Sequence, residues 1–236
     1  MTAGMRWFET YVPKTLVLRL MQRAGDDVTV STERTLTVMF TDIRGFSTMA
    51  ETMDAPAIAA LLNHHFELLS ACIEAEGGTV DKFIGDSVMA FWGAPDYVAD
   101  HADRGVRAAQ AMQRAVGMDN AKRRAAGQPP IAVRVGLHSG PVVVGNIGSI
   151  SRVNYTVVGD TVNAASRLES LAKEISLASQ AGNPDDECVV LFSEATKNGL
   201  EGEVPSHALG SHKLRGRSEE VQVYQLLQDA DASDRR

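Results

Sequence analysis

Two aspartates in this chain stand where an apolar strand gives way to a turn. The first lies in Phe40-Thr41-Asp42-Ile43-Arg44-Gly45-Phe46-Ser47. The preceding run, Leu36-Thr37-Val38-Met39-Phe40, is β-branched and aromatic, which predicts a buried strand. A glycine turn and a new helix follow at once. A carboxylate placed there can supply oxygens to a divalent cation. The backbone N–H groups of the turn, at Gly45 and Phe46, can receive a phosphate. A simpler role for Asp42 is to cap the helix.

The second aspartate lies in Asp81-Lys82-Phe83-Ile84-Gly85-Asp86-Ser87-Val88-Met89-Ala90-Phe91. Thr79 to Ile84 and Val88 to Trp92 read as strands, and Gly85-Asp86 suits the tight turn of a hairpin. If this hairpin neighbours the first strand, Asp42 and Asp86 meet at one sheet edge. They then repel unless cations sit between them. A third cluster runs from Asn154 to Glu169. Thr156-Val157-Val158 reads as a strand, Gly159 as a turn and Asp160 as an N-cap. The helix that follows carries Val162, Ala165, Leu168 and Leu171 on one side. Asn163 and Arg167 are four residues apart and share another face. An amide and a guanidinium side by side can orient a hydroxylated ligand and neutralise phosphate.

These ordered segments, with Ile131 to Gly148, resemble the catalytic domain of the class III nucleotidyl cyclases, the adenylyl and guanylyl cyclase family. The resemblance covers about Arg34 to Leu227. It implies closure of a nucleoside triphosphate into a 3′,5′-cyclic monophosphate with release of pyrophosphate, and two divalent cations, Mg²⁺ or Mn²⁺. Asp42 and Asp86 match the family's metal carboxylates, with the Ile43 carbonyl as a further ligand. Arg167 matches the arginine that stabilises charge on the α-phosphate, and Asn163 the residue that orients the ribose.

Lys82, four positions before Asp86, matches the lysine that contacts adenine. Its partner, seven positions before Asn163, is Thr156, as in a bacterial adenylyl cyclase group. Lysine only donates, which suits adenine's ring-nitrogen acceptor and not the N1–H of guanine. A terminal-phosphate contact falls on Arg215, within Lys213-Leu214-Arg215-Gly216-Arg217, with Lys213 as the competing choice. In the family one domain supplies the metal aspartates and another the base pair, asparagine and arginine. This chain carries both sets, which implies a head-to-tail homodimer with shared sites. The resemblance therefore implies an adenylyl cyclase acting on ATP. The alternatives are a guanylyl cyclase, which Lys82 disfavours, and an inactive dimerisation module, which would have lost a metal aspartate or the arginine. A cyclic-dinucleotide synthase is disfavoured because its Gly-Gly-Asp/Glu-Glu-Phe signature is absent.

The rest of the chain bounds these readings. Its 236 residues can bury one substantial core. A net charge of −7 argues against nucleic-acid binding. The six histidines form no zinc pattern, and His64-His65 adjoins an apolar helical stripe without needing a special role. Cys72 and Cys188 read as buried thiols of a reducing compartment. No apolar run is long enough to span a bilayer, and the N-terminus lacks a signal peptide's apolar core. The expected location is cytoplasmic, with room for an upstream sensor in a longer receptor.

The expected domains are an N-terminal helical linker over 1–33, a catalytic domain over 34–228 and a flexible tail over 229–236. A helix is expected over Pro13 to Arg23. Helical stripes run from Ile58 to Ile73, through Leu62 and Phe66, and from Val106 to Val116. Two strands, Val133 to Leu137 and Pro141 to Val144, are expected to join at Ser139-Gly140. Ser176 to Asp186 reads as a loop, Val189 to Phe192 as a strand before a helix capped by Ser193, and Val221 to Leu227 as the last strand. The predicted fold class is α+β, a ferredoxin-like βαββαβ core with a C-terminal α/β elaboration.

Overall fold

A computed structural model describes residues 31–149, 152–178, 187–214 and 220–228. The helix expected over Pro13 to Arg23, the phosphate contact Arg215 and the tail from 229 lie outside the described residues. The chain opens with β1 (Thr32–Ile43), the short helix α1 (Phe46–Ala50) and α2 (Ala55–Ala75). The hairpin β2 (Thr79–Ile84) and β3 (Ser87–Trp92) leads to α3 (His101–Ala125). Next come β4 (Val133–Ser149), β5 (Arg152–Val158) and α4 (Asp160–Ala178). The last elements are β6 (Cys188–Ser193), α5 (Glu194–Lys197), β7 (Ser206–Lys213) and β8 (Glu220–Leu226).

The strands form one sheet in the order β2-β3-β1-β4-β6-β8-β7, with β5 paired to β4. The first four, antiparallel throughout, are the expected ferredoxin-like core. Strand β6 joins parallel to β4, and the β7–β8 hairpin extends the elaboration.

Side-chain alternation along β1 assigns its two faces. Met39 and Ile43 pack with Leu61, Leu69 and Ile73 of α2 and with Val106, Met112 and Val116 of α3. Leu36 and Val38 point the other way, into a cluster with Ala165 of α4. Leu168 of α4 continues that layer against Val189 and Leu191 of β6. Burial of each such aliphatic side chain contributes about 1.5–3 kcal/mol. Asp42 belongs by parity to the α4 face.

Several expectations are revised. Ser139-Gly140 is no turn: β4 runs unbroken from Val133 to Ser149. Strand β1 keeps it extended, because Thr37 pairs with Ser139 and Leu36 with Gly140. Within this ladder the Ser139 and Thr37 hydroxyls bond at 2.7 Å. Glycine is needed at 140 for another reason: a Cβ there would lie 2.6 Å from Thr161 Oγ1 at the start of α4. Helix α4 continues to Ala178, past the expected break at Ser176. Asp160 is its first residue.

On α2 the fully buried line is Leu61, His65, Leu69 and Ile73, while Leu62 and Phe66 lie partly exposed. Strand β7 was not anticipated, since its sequence shows no alternation and most of it stays near solvent. Ser193 caps α5 as expected, accepting from the Thr196 N–H. Cys72 and Cys188 are free thiols, and burial raises the pKa of both, that of Cys188 to about 12. No helix among the described residues is long and apolar enough to cross a membrane.

Candidate active site

Asp42 lies at the end of β1 and Asp86 in the turn after β2, where Gly85 takes φ 63°. A side chain is strained at that φ, which explains the glycine. The turn is stitched to β1 at three points. The Ile43 N–H donates to Asp86 Oδ2 at 3.0 Å, and Ser87 Oγ donates to Asp42 Oδ1 at 3.2 Å. The Val88 N–H donates to Thr41 Oγ1 at 3.1 Å. Asp42 is not a helix cap: Gly45 occupies the cap position of α1 at φ 73° without a side-chain bond. Phe46 opens α1 and packs its side chain against the main core.

The charge of Asp86 opposes ionisation of Asp42. Burial, followed by the charge of Asp86, pushes the Asp42 pKa up to about 6. Glu169 of α4, which the sequence reading passed over, joins them. Burial and then the charge of Asp42 raise its pKa to about 7. Lys173, one turn further along α4, pulls Asp42 and Glu169 back. The signal available in sequence was the spacing of Glu169 and Lys173, four apart and off the Asn163–Arg167 line. His65 on α2 also feels Asp86, but burial dominates and lowers its pKa to about 4, so it is neutral at pH 7.

Among the described residues no three His, Cys, Asp or Glu side chains are arranged to hold a metal. Asp42 and Asp86 alone fit one end of a divalent-cation site, because hard carboxylate oxygens under mutual repulsion gain most from a cation. Backbone and substrate oxygens would have to complete it.

A second group gathers at β2 and β5. Lys82 Nζ lies 3.3 Å from Thr156 Oγ1, and the Thr156 hydroxyl donates to Asp81 Oδ2 at 2.5 Å. Lys82 Nζ is also 3.6 Å from Asp81 Oδ2. The Asp81 side chain is only 2% exposed, against 41% for Lys82. Burial raises the Asp81 pKa, while Thr156 and Lys82 pull it down. Sequence reasoning missed Asp81 because the feature that turns it inward is a register shift between Val80 and Lys82.

The third group rides on α4. Gly136 lets this helix approach β4, since a Cβ there would meet Glu169 N at 2.2 Å and Ala165 O at 2.4 Å. Asn163 is exposed, and Arg167 Nη1 lies 3.9 Å from Asp160 Oδ1, a loose pair at the helix start. At about 100° per residue, Arg167 and Glu169 leave α4 about 200° apart. The structure thus brings Asp42 to Asp86 and Lys82 to Thr156, and sets Asn163 and Arg167 on one helix face. Lys213 ends β7 as an exposed residue.

Residues 28–228 match the model of the adenylate and guanylate cyclase catalytic domain. The chain belongs to this family. Within it, the chain is 35% identical over 220 residues to Adenylate cyclase 1 of Rhizobium meliloti, covering 93% of the chain and 31% of that protein. It therefore spans about a third of that relative's length. Among solved cyclase structures, the adenylyl cyclase CyaB from P. aeruginosa matches at TM-score 0.74 and 35% identity, over 85% of this chain and 97% of that one. The guanylyl cyclase Cya2 matches at TM-score 0.72 and 29% identity, over 86% and 97%. The cyclase fold is thus common to proteins named for different bases.

Proposed function

We propose that this chain is an adenylyl cyclase domain, converting ATP to 3′,5′-cyclic AMP and pyrophosphate. One observation carries the reading: the groups matching the family's pattern converge as two separate sets, Asp42 with Asp86 and Lys82 with Thr156. The first set suits metal and phosphate, the second a purine.

In the reaction the 3′-oxygen bonds to the α-phosphorus, the bond from the α-phosphorus to the oxygen bridging it to the β-phosphate breaks, pyrophosphate leaves with that oxygen, and the hydroxyl proton passes to water. Asp42, Asp86 and the Ile43 carbonyl would hold two divalent cations, Mg²⁺ or Mn²⁺. When bound, these supply Lewis acidity, lowering the hydroxyl's pKa and offsetting phosphate charge. The Gly45–Phe46 turn receives phosphate oxygens, and Arg215, or Lys213 beside it, holds the terminal phosphates. Asn163 orients the ribose. Arg167 donates to the α-phosphate as its charge grows. Lys82 donates to the adenine ring nitrogen beside Thr156.

The working unit is a head-to-tail homodimer with shared sites. The side of α4 facing Asp42 carries Glu169 and Lys173, and Arg167 leaves that helix about 200° from Glu169. That placement supports Arg167 serving the partner's carboxylates. The chain is expected to be the catalytic part of a longer cytoplasmic or receptor protein with a sensor.

The test is direct: purified dimer, Mn²⁺ or Mg²⁺, ATP or GTP, and detection of cyclic product. Turnover of ATP is expected. Turnover of GTP alone would overturn the base assignment, and turnover of neither would leave a dimerisation module.

A further inference from the structure

We propose that Asp81 is a positioning residue that locks the Thr156 hydroxyl as a hydrogen-bond acceptor toward the base, selecting a 6-amino purine over a 6-oxo purine. The inference rests on the base-reading role given above to Lys82 and Thr156.

A hydroxyl has one proton and two lone pairs. In Thr156 the proton goes to Asp81 Oδ2 at 2.5 Å, and Lys82 Nζ approaches the oxygen at 3.3 Å. One lone pair remains. Held this way, the hydroxyl can only accept. It pairs with the exocyclic amine of adenine and repels the O6 of guanine. Without Asp81 the same hydroxyl is free to rotate and donate to O6. Threonine alone therefore does not choose between the bases, whereas threonine with a fixed rotor does.

The local backbone explains why Asp81 can do this. Val80 pairs with Ala90 and Lys82 with Met89, so Asp81 is the extra residue of a β-bulge. A bulge re-aims neighbouring side chains. Here it buries the Asp81 side chain to 2% exposure while that of Lys82 stays 41% exposed. Burying a carboxylate is costly unless it is paired. The polar groups acting on this one are Thr156 and Lys82, the two groups assigned to the base. Thr156 is itself 6% exposed, which limits its rotamers.

The experiment measures kcat/KM for ATP and for GTP in the dimeric protein with Mn²⁺. Asp81→Ala is expected to lower the ATP-to-GTP ratio by about tenfold or more, partly through a gain in GTP turnover. Asp81→Asn, which keeps an acceptor for the hydroxyl, should stay within about threefold of the unmodified ratio. Asp81→Leu, similar in volume and without an acceptor, repeats the test should the smaller side chain unfold the hairpin. In a Thr156→Val background the Asp81→Ala change should leave the ratio where Thr156→Val put it.

An unchanged ratio in folded Asp81→Ala or Asp81→Leu overturns the inference. So does an equal drop with and without the Thr156 hydroxyl, since that marks a purely structural role. Lys82→Met separates the two levels. If it leaves the ratio untouched, the base-reading assignment has failed and the inference with it. If Lys82→Met and Thr156→Val both lower the ratio while Asp81→Ala does not, only the role of Asp81 is refuted.

Discussion

The Ile43 N–H donates to the Asp86 carboxylate at 3.0 Å, tying the β2–β3 turn to the end of β1 across 43 residues of sequence. The same turn returns a bond from Ser87 to Asp42. Each carboxylate is thus placed by the backbone or side chain that neighbours the other.

Removing either carboxylate should abolish the chemistry and spare the fold. Asp42→Ala and Asp86→Ala are each expected to lower cyclic nucleotide formation by about a thousandfold or more at saturating Mn²⁺. Circular dichroism should show unchanged secondary structure. Retained activity in both would reduce the pair to a strand end and a turn.

The metal-free protein should lose stability as pH rises. The folded-state pKa of Asp42 is raised from 3.8 to about 6, and that of Glu169 from 4.5 to about 7. A raised carboxylate pKa favours the folded state below the unfolded value, and this advantage is lost as pH climbs through the folded one. The window is therefore about pH 4 to 7. Asp42→Asn should melt a few degrees higher than the unmodified protein at pH 8. That corresponds to about 1 kcal/mol once solvent screening is discounted. Below pH 4 the two should converge. A melting difference independent of pH would contradict this.

Subunit mixing tests the shared sites. Asp42→Ala and Arg167→Ala dimers, each inactive, should form mixed dimers with one intact site when combined. Activity should return to about a quarter of the unmodified level under random exchange, because about half the dimers are mixed and each has one good site of two. Demonstrated exchange without recovered activity would place both residues in one subunit's site or make the two sites inseparable.

Two glycines should respond in opposite directions. Gly136→Ala drives a methyl into the Glu169 and Ala165 backbone of α4 and should destabilise the protein by about 3 kcal/mol. It should also lower activity, because α4 carries Asn163 and Arg167. At Gly117 of α3 an added Cβ meets nothing within 4 Å, so alanine there should stabilise by about 0.5–1 kcal/mol. Chemical denaturation of the two variants compares them directly.

The core elements were legible because their burial follows their period. β1, the β2–β3 hairpin and α3 each show their apolar face in sequence. What escaped the sequence reading depended on contacts distant along the chain. Ser139-Gly140 has turn chemistry, yet the facing β1 holds it straight. Strand β7 exists by pairing with β8 and not by its own pattern. Asp81 looked like an ordinary strand residue because a bulge leaves no compositional mark. Glu169 acts beside Asp42 only because α4 packs closely against Gly136 of β4, a contact between segments distant along the chain.

The unbroken course of β4 gives the molecule a lever. The β1–β4 ladder stops at the Thr32–Val144 pair, where β1 begins, while β4 continues from Gly145 to Ser149 against β5. A two-stranded ribbon by itself is marginally stable in water. Thr156 sits at the root of this ribbon, opposite Gly145, and its bond to Asp81 moors the ribbon to β2. Amide exchange along Gly145 to Ser149 therefore serves as a gauge of that mooring, slow while it holds and fast once it is cut, in the absence of any nucleotide.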